Sequence, residues 1–433
     1  MNSGVRCKWP ARRLRFLVRR SLTGVQRQAL AQASQVSFLP MEAIGEQGEL
    51  DLSSIRDSDQ VNTGYTLFFE GDVVVAKITP CFENGKGALI KGLTNGVGFG
   101  TTELHVLSPG PELYARFLYY VTASHSFRKL GEAGMTGAAG QKRVPEDFVR
   151  DYRILCPPLS MQRAIADYLD RETGRLDALV TAKERVLELL AEKRRALITR
   201  AVTRGLNPNA PLRDSGLPWL GQIPMHWETW KVAHFGKVGN GSTPSREHAE
   251  YWSGGTFPWL NSSVVNLDEV TEADQFVTEL ALSECHLPLV QPGSVLVGIT
   301  GQGKTRGQAA VLTFLATINQ HIAYITPALD RVESKFLWLW LIAGYDYLRS
   351  VSDDAGGTKG AITCELLAEL RVPLPPLVEQ RAIVTHIERE TGKLDALRLA
   401  TERTVALLKE RRAALIAAAV TGQLDSADSG KLM

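Results

Sequence analysis

The sequence predicts a mixed α/β (α+β) protein in which two globular domains alternate with two long helices. The first observation is a repeat: residues 157–206 align without gaps with residues 375–424, and about 29 of those 50 positions are identical. The second is that both copies carry apolar residues at helical spacing. The third is that the segments before each copy share a pattern of short apolar runs but little sequence. The half-chain is therefore duplicated.

Each copy of the repeat predicts one long helix. Both copies open with Pro-Pro, which cannot lie inside a helix. Leucines and isoleucines then recur at three-, four- and seven-residue spacing, from Leu176 to Ile198 and from Leu394 to Ile416. If residues 162–203 are helical, the first helix is about 60 Å long. Two matching apolar stripes predict an antiparallel coiled coil with pseudo-two-fold symmetry. The alternative is two surface helices that pack on separate domains.

The segments before the helices both have a mixed pattern. The first contains "DVVVAKIT" and "ELHVL", and then the helical pattern "PELYARFLYYVTASHSFRKL". The second contains "GSVLVGIT" and "HIAYIT", and then "ESKFLWLWLIAGYDYLRS". Both end in a Gly-rich stretch that leads into the repeat. The predicted boundaries are a first globular domain at 1–155, a helix at 156–206, a second globular domain at 207–373, a helix at 374–425 and a tail at 426–433.

Composition limits the class of protein. The five cysteines are scattered and form no CxxC pair, which favours free thiols in a reducing cytosol. No apolar run reaches the roughly 18 residues of a membrane span, so we expect a cytoplasmic protein without a membrane partner. The first 41 residues carry eight Lys/Arg and no acidic residue, whereas the whole chain has a net charge of +2. Any contact with nucleic acid must therefore come from local patches.

No motif predicts catalysis. Residues 298–305, "GITGQGKT", formally match a P-loop, but a P-loop needs a following helix, and "RGQAAVLTF" has a β-type pattern. The two "PPL" sites follow Cys156 and Leu374, whereas an amino-methyltransferase motif needs a polar acceptor there. The eight histidines are dispersed. We predict no catalytic residues, no metal site and no cofactor.

Local charge predicts where DNA would bind. Between Glu284 and Asp330 the only charged residues are Lys304 and Arg306, in a Gly-rich loop, and Lys86 and Lys91 stand alone in the matching part of the first half. Lys and Arg on such loops, with polar neighbours, hold phosphates and read base edges. The candidate DNA-binding residues are Lys77, Thr79, Asn84, Lys86, Thr101, Thr102, Lys142, Arg143, Ser242, Thr243, Arg246, Thr300, Gln302, Lys304, Arg306, Asn319, Gln320, Thr358 and Lys359.

Several motifs carry a resemblance to a known family. The repeated "PPLxxQRAI", "ETGxLDAL" and "RRALIxxAVT", together with "DSGLPWLGQIPMHWE" at 214–228 and "GFGTTELHVL" at 98–107, resemble type I restriction–modification specificity (S) subunits. The resemblance covers nearly the whole chain after about residue 38. One departure is Met161, where the second copy has Glu379.

The resemblance implies a non-catalytic subunit. Each globular domain would be a target recognition domain that reads one half of a split sequence in double-stranded DNA. The helix pair would set their separation and dock two methyltransferase subunits, which carry the adenine methylation chemistry, and restriction/translocase subunits would then join. The alternatives are the specificity subunit of a two-subunit system with a fused methyltransferase/nuclease partner, a P-loop nucleotide-binding enzyme and a structural helical adaptor.

Overall fold

The computed structural model describes residues 9–138, 140–217, 219–301, 303–354 and 360–424, apart from the side chain at 354. The chain forms two compact units. Unit 1 comprises residues 1–185 and 402–433, and unit 2 comprises residues 186–401. Both divisions fall inside a long helix. Unit 1 therefore contains the beginning of the first copy of the repeat and the end of the second copy. Unit 2 contains the end of the first copy and the beginning of the second.

The described residues of unit 1 form nine strands and five short helices before the long helix. The strands are β1 Ala11–Arg13, β2 Gln35–Leu39, β3 Ile55–Asp57, β4 Thr66–Phe69, β5 Val73–Ala76, β6 Gly87–Leu89, β7 Val97–Gly100, β8 Leu104–Leu107 and β9 Arg153–Leu155. The helices are α1 Gly24–Gln32, α2 Ser58–Val61, α3 Ala115–Ala123, α4 His125–Ala133, α5 Glu146–Asp151 and the long helix α6 Leu159–Arg204, with 3₁₀ turns at Leu14–Phe16, Met41–Ala43 and Thr94–Gly96.

The strands of unit 1 form three small sheets. β3-β2-β7-β4 is four-stranded, β6-β5-β8 is three-stranded and antiparallel, and β1 pairs with β9. Residues Ala11–Arg13 are thus paired within the fold, and Arg12 forms an ion pair with Glu112 at 2.5 Å. The main apolar core lies between β5, α3 and the long helices and includes Phe117, Ile165 and Ile416. Each such fully buried side chain contributes about 1.5–3 kcal/mol.

In the part of unit 2 that the structure describes there are twelve strands and four short helices besides the long helix. The strands are β10 Leu212–Asp214, β11 Gln222–Pro224, β12 Glu228–Lys231, β13 Gly236–Asn240, β14 Phe257–Leu260, β15 Glu269–Val270, β16 Gln275–Val277, β17 Val295–Gly298, β18 Ala309–Leu312, β19 Thr317–Ile318, β20 Ile322–Pro327 and β21 Arg371–Leu374. The helices are α7 Glu279–Glu284, α8 Ser334–Ala343, α9 Tyr345–Asp354, α10 Cys364–Glu369 and the long helix α11 Leu377–Val420, with 3₁₀ turns at Val232–His234, Ala249–Tyr251 and Ser262–Asn266.

The sheets of unit 2 repeat the plan of unit 1 with additions. The five-stranded sheet has the order β13-β20-β17-β18-β15, the three-stranded sheet has the order β16-β14-β19, and β12 pairs with β21 as β1 does with β9. The apolar α8, whose sequence "SKFLWLWLIA" has almost no polar face, is mostly buried. The core includes Phe336, Ile198 and Ile383. Ile383 lies 218 positions after Ile165 of the unit 1 core, so these two isoleucines are repeat counterparts.

The long helices pair in antiparallel orientation. Within unit 1, Arg412 donates to Asp177 at 2.8 Å and Lys409 donates to Glu184 at 3.1 Å, so one helix ascends as the other descends. Within unit 2, Arg194 donates to Asp395 at 2.6 Å. Asp177 and Asp395 are repeat counterparts, as are Arg412 and Arg194. The predicted mixed α/β fold with two long paired helices is confirmed, and the alternative of helices on separate domains is wrong.

A buried glutamine joins each long helix to the short helix beside it. Gln162 and Gln380 are repeat counterparts and both are 0% exposed. Gln380 Nε2 donates to the carbonyls of Pro375 and Arg331, both at 2.9 Å, and its Oε1 accepts from the Glu333 amide at 2.8 Å. Gln162 makes the same three bonds, to Pro157, Glu112 and the Tyr114 amide. We refer to these two sites as the glutamine locks.

Candidate nucleic-acid interface

The candidate DNA-binding residues gather mainly at one end of the central strand in each unit. In unit 1 the loop 77–86 joins β5 to β6, and in unit 2 the loop 299–308 joins β17 to β18. The two loops have the same length, because Val75 pairs with Gly87 and Val297 pairs with Ala309. The sequence of residues 298–305 formally matches a P-loop, but a β-type pattern follows it and argues against that match. The structure places a strand after this loop, not the helix that phosphate binding needs.

Backbone hydrogen bonds assemble the cluster in unit 1. The Lys77 amide donates to the Glu103 carbonyl at 2.9 Å, and the Val144 amide donates to the Lys77 carbonyl at 2.8 Å. The Thr79 amide donates to the Lys142 carbonyl at 2.9 Å. Three chain segments therefore meet here. They bring together the candidates Lys77, Thr79, Thr101, Thr102, Lys142 and Arg143.

An ion pair that the sequence did not predict lies within this cluster. Arg143 Nε and Nη2 donate to the two carboxylate oxygens of Glu103, both at 2.9 Å. This bidentate hydrogen bonding holds the pKa of Glu103 below its usual range and raises that of Arg143. Glu103 precedes β8 as the last residue of a turn, Thr101–Glu103, which we name the pre-β8 turn. Glu103 lies 40 positions from Arg143 along the chain, so no local sequence pattern could have revealed the ion pair.

The corresponding turn in unit 2 carries amide and imidazole groups. Residues Asn319–His321, the pre-β20 turn, precede β20 as 101–103 precede β8. Gln320 Oε1 accepts a hydrogen bond from Thr243, and His321 Nδ1 lies 2.8 Å from Thr300 Oγ1. The Ser242 amide donates to the Ile318 carbonyl at 3.0 Å. The structure thus brings together the candidates Ser242, Thr243, Thr300, Asn319 and Gln320, and adds His321.

Lys304 and Arg306 differ sharply in their surroundings, although they are two positions apart. Lys304 is exposed, and among the described residues no acidic side chain pairs with its ammonium. The side chain of Arg306 is only 4% exposed and donates to Asp353 at 2.6 Å. Arg306 is therefore a structural part of the loop as the structure shows it, whereas Lys304 is free to contact a phosphate.

Arg246 lies on an aromatic platform. Its guanidinium carbon is 3.7 Å from the centroid of the Trp252 ring and 5.3 Å from that of Trp259. Nη2 donates to Gln275 Oε1 at 2.6 Å. Cation–π stacking of this kind is worth about 0.5–1 kcal/mol at an exposed site and orients the guanidinium. Arg246 remains exposed.

Two arginines brace the loops from inside, and the sequence did not single them out. Arg128 donates to the carbonyls of Phe82 and Gly85, and burial lowers its pKa to about 10. Arg349 donates to the carbonyls of Gly303 and Arg306 at 2.7 and 3.2 Å. Both loops therefore have their backbone shape set by a guanidinium on the following helix pair.

The remaining candidates lie elsewhere or outside the description. Lys86 Nζ donates to the Met41 carbonyl at 2.9 Å, so its ammonium is used within the fold, and Asn84 is exposed on the loop 77–86. Gln302, Thr358 and Lys359 lie outside the described residues. Across the described ranges, no group of three His, Cys, Asp or Glu residues is arranged to hold a metal ion, and no helix is long and apolar enough to span a membrane.

The departure from the family motif at Met161 also has a structural reason. Glu379 Oε1 accepts from Trp227 Nε1 at 3.2 Å, and its Oε2 lies 2.8 Å from His226 Nε2. Its counterpart Met161 instead packs against the apolar core of unit 1, to which Trp9 also contributes. A carboxylate is needed only in unit 2, where an indole N–H faces it.

The duplicated α/β arrangement recurs in solved structures, and the sequence of the second half of the chain matches a known family. Residues 224–398 match the family described as "Type I restriction modification DNA specificity domain". The specificity subunits of the type I restriction enzymes EcoAI and EcoEI from Escherichia coli are each 46% identical, over 136 and 134 residues. These matches cover 30% of this chain and only 23% and 22% of the relatives. The resemblance predicted from the repeat motifs is thus confirmed.

Solved structures show the same fold over almost the whole chain. One is a chain from a study of complex assembly and conformational transition of the type I R-M system, with a TM-score of 0.75 and 19% identity over 96% of this chain and 98% of that one. Another is the HsdS subunit from Thermoanaerobacter tengcongensis, with a TM-score of 0.57 and 19% identity over 96% and 97%. At these identities the comparison establishes the fold.

Proposed function

We propose that this chain is the non-catalytic DNA sequence-recognition subunit of a type I restriction–modification complex. It reads a bipartite target in double-stranded DNA, and each globular domain reads one half. The long paired helices dock two methyltransferase subunits, and through them the restriction/translocase subunits. The domain boundaries proposed for these roles are 1–155 and 207–373 for recognition and 156–206 and 374–425 for docking.

One observation supports this proposal most directly. The two units share the same scaffold, and their side chains differ in the turns where the candidate DNA-binding residues lie. The glutamine locks and the Asp–Arg pairs between the long helices are the same in both units. The pre-β8 turn has the sequence Thr-Thr-Glu and the pre-β20 turn has Asn-Gln-His. A subunit that presents one docking surface twice, and reads two different half-sites, requires this combination of identity and divergence.

A domain exchange tests the proposal. Residues 207–373 are replaced by the matching segment of a related specificity subunit, and the host's methylated sites are sequenced with the parent gene, with the exchanged gene and with neither. We expect one half of the methylated motif to change and the other half to remain. A change in both halves, or the absence of any motif that depends on the parent gene, would contradict the proposal.

A further inference from the structure

The turn before the last strand of the central sheet has the same backbone position in both units. Ala76 pairs with Leu104 in unit 1, and Gly298 pairs with Ile322 in unit 2. The residue before each strand accepts a backbone hydrogen bond at the same point, from Lys77 at 2.9 Å and from Ile299 at 3.0 Å. The side chains nevertheless differ at all three positions of the turn. The backbone of this turn thus belongs to the scaffold that the two units share, and its side chains are free to differ between two recognition surfaces.

In unit 2 the middle residue of this turn, Gln320, is exposed and held by its neighbours. Its Oε1 accepts from the Thr243 hydroxyl, and its Nε2 lies 3.4 Å from His321 Nε2. His321 Nδ1 in turn lies 2.8 Å from Thr300 Oγ1. In the structure, Thr243 donates to Gln320, Gln320 donates to His321, and His321 donates to Thr300. The two contacts to Gln320 hold the plane of its amide.

The backbone beneath Gln320 is fixed as well. Asn319 is only 6% exposed, and its Oδ1 accepts from the His321 amide at 3.0 Å. The Asn319 amide donates to the Leu260 carbonyl at 3.0 Å. A side chain whose amide and backbone are both held loses little conformational freedom on binding, which favours affinity and discrimination.

The contacts leave the Gln320 amide with one free donor and one free acceptor. An amide oxygen has two lone pairs and an amide nitrogen two N–H groups, and among the described residues one of each is used. Adenine presents the complementary pair in the major groove, an N6–H donor next to the N7 acceptor, whereas guanine presents two acceptors and cytosine a donor. The free edge of Gln320 therefore matches adenine.

We infer that Gln320 contacts an adenine directly in the half-site read by unit 2, and that Thr243 and His321 position its amide. This inference rests on the proposed function, because it presupposes that unit 2 binds DNA. Thr243 and His321 are positioning residues, since they act through Gln320. A bidentate contact of this kind discriminates against the wrong base by about 5- to 160-fold.

The test uses the complex of the full chain with its methyltransferase subunits, and selects bound sequences from randomised double-stranded DNA. We expect the wild-type complex to select a bipartite motif, and Gln320→Ala to lose preference for adenine at one position of one half-site. Gln320→Glu should shift that position towards cytosine, because a carboxylate only accepts and cytosine N4 donates. Thr243→Val, which keeps the shape and removes the donor, should weaken preference at the same position only.

Gln291→Glu is the matched control. Gln291 is exposed and lies before β17, whereas the loop that leads to the cluster follows β17. This variant should select the wild-type motif. A wild-type motif that is unchanged by Gln320→Ala and Gln320→Glu would overturn the assignment of Gln320 and leave the proposed function standing. A base other than adenine at the affected position would overturn the adenine contact. Failure of the wild-type complex to select any motif would overturn the proposed function itself.

Discussion

Replacing Gln380 with leucine tests whether the glutamine lock holds the short helix against the long one. Leucine has a similar volume but removes three hydrogen bonds, and it leaves the carbonyls of Pro375 and Arg331 and the amide of Glu333 without their partner. Each buried bond is worth about 0.5–1.5 kcal/mol, and a buried group left unsatisfied costs about 1–3 kcal/mol. Water molecules will form hydrogen bonds to some of these groups and so reduce the loss. We therefore expect a loss of about 3–5 kcal/mol from unit 2.

Tryptophan fluorescence during urea unfolding measures this loss selectively. Seven of the eight tryptophans lie in unit 2, and only Trp9 lies in unit 1. With a urea dependence of about 2–3 kcal/mol per molar, the fluorescence midpoint should fall by about 1–2 M. Hydrogen exchange gives the local reading, because the Glu333 amide donates to the side chain that is removed. That amide should exchange faster in Gln380→Leu.

The repeat counterpart provides the matched control. Gln162→Leu removes the same three bonds in unit 1, so exchange should accelerate at Tyr114 and not at Glu333. The two variants together separate a local lock from a general loss of helix packing. A fluorescence midpoint for Gln380→Leu within about 0.2 M of wild type, with unchanged exchange at Glu333, would refute the reasoning.

Three further predictions concern pH, salt and helix length. Burial lowers the pKa of His105, so its folded-state pKa lies below the unfolded value; its contribution to stability is present above about pH 6.5 and is lost as the pH falls through the folded pKa. His105→Gln should therefore flatten the decline of unfolding midpoint between pH 7 and 5, and an unchanged slope would contradict this. Lys304→Ala should lower the salt dependence of DNA binding by the complex by about one unit of slope. Arg306→Ala removes a buried guanidinium and its ion pair with the exposed Asp353, and should also lower the unfolding midpoint; equal stability of the two variants would remove the distinction. Adding seven residues after both Leu190 and Leu408 keeps the apolar register and lengthens each helix by about 10 Å, the length of about three base pairs. Selection from a DNA library with variable spacers should then recover a longer gap between half-sites. Recovery of the original gap by a folded, partner-binding variant would show that helix length does not set the gap.

The sequence by itself determined the elements whose signals are local. The apolar stripe from Leu176 to Ile198 and its copy from Leu394 to Ile416 predicted two long helices, because a period of 3.6 residues appears within a few turns. The observed α6 begins three residues before the predicted range 162–203 and ends one residue after it. The β-type pattern after Gly307 was likewise sufficient to predict a strand where a P-loop would need a helix. The gap-free repeat indicated that the half-chain is duplicated.

Only the tertiary structure decided which distant side chains meet. Arg306 and Lys304 have equal charge and nearly the same sequence context, yet Arg306 is buried against Asp353, 47 positions away, and Lys304 is exposed. Arg143 is joined to Glu103 across 40 positions, and His321 enters the polar cluster through Thr300. Periodicity and composition describe neighbours along the chain. Ion pairs and polar clusters depend on where loops close and on strand register, and these follow from the packing of the whole unit.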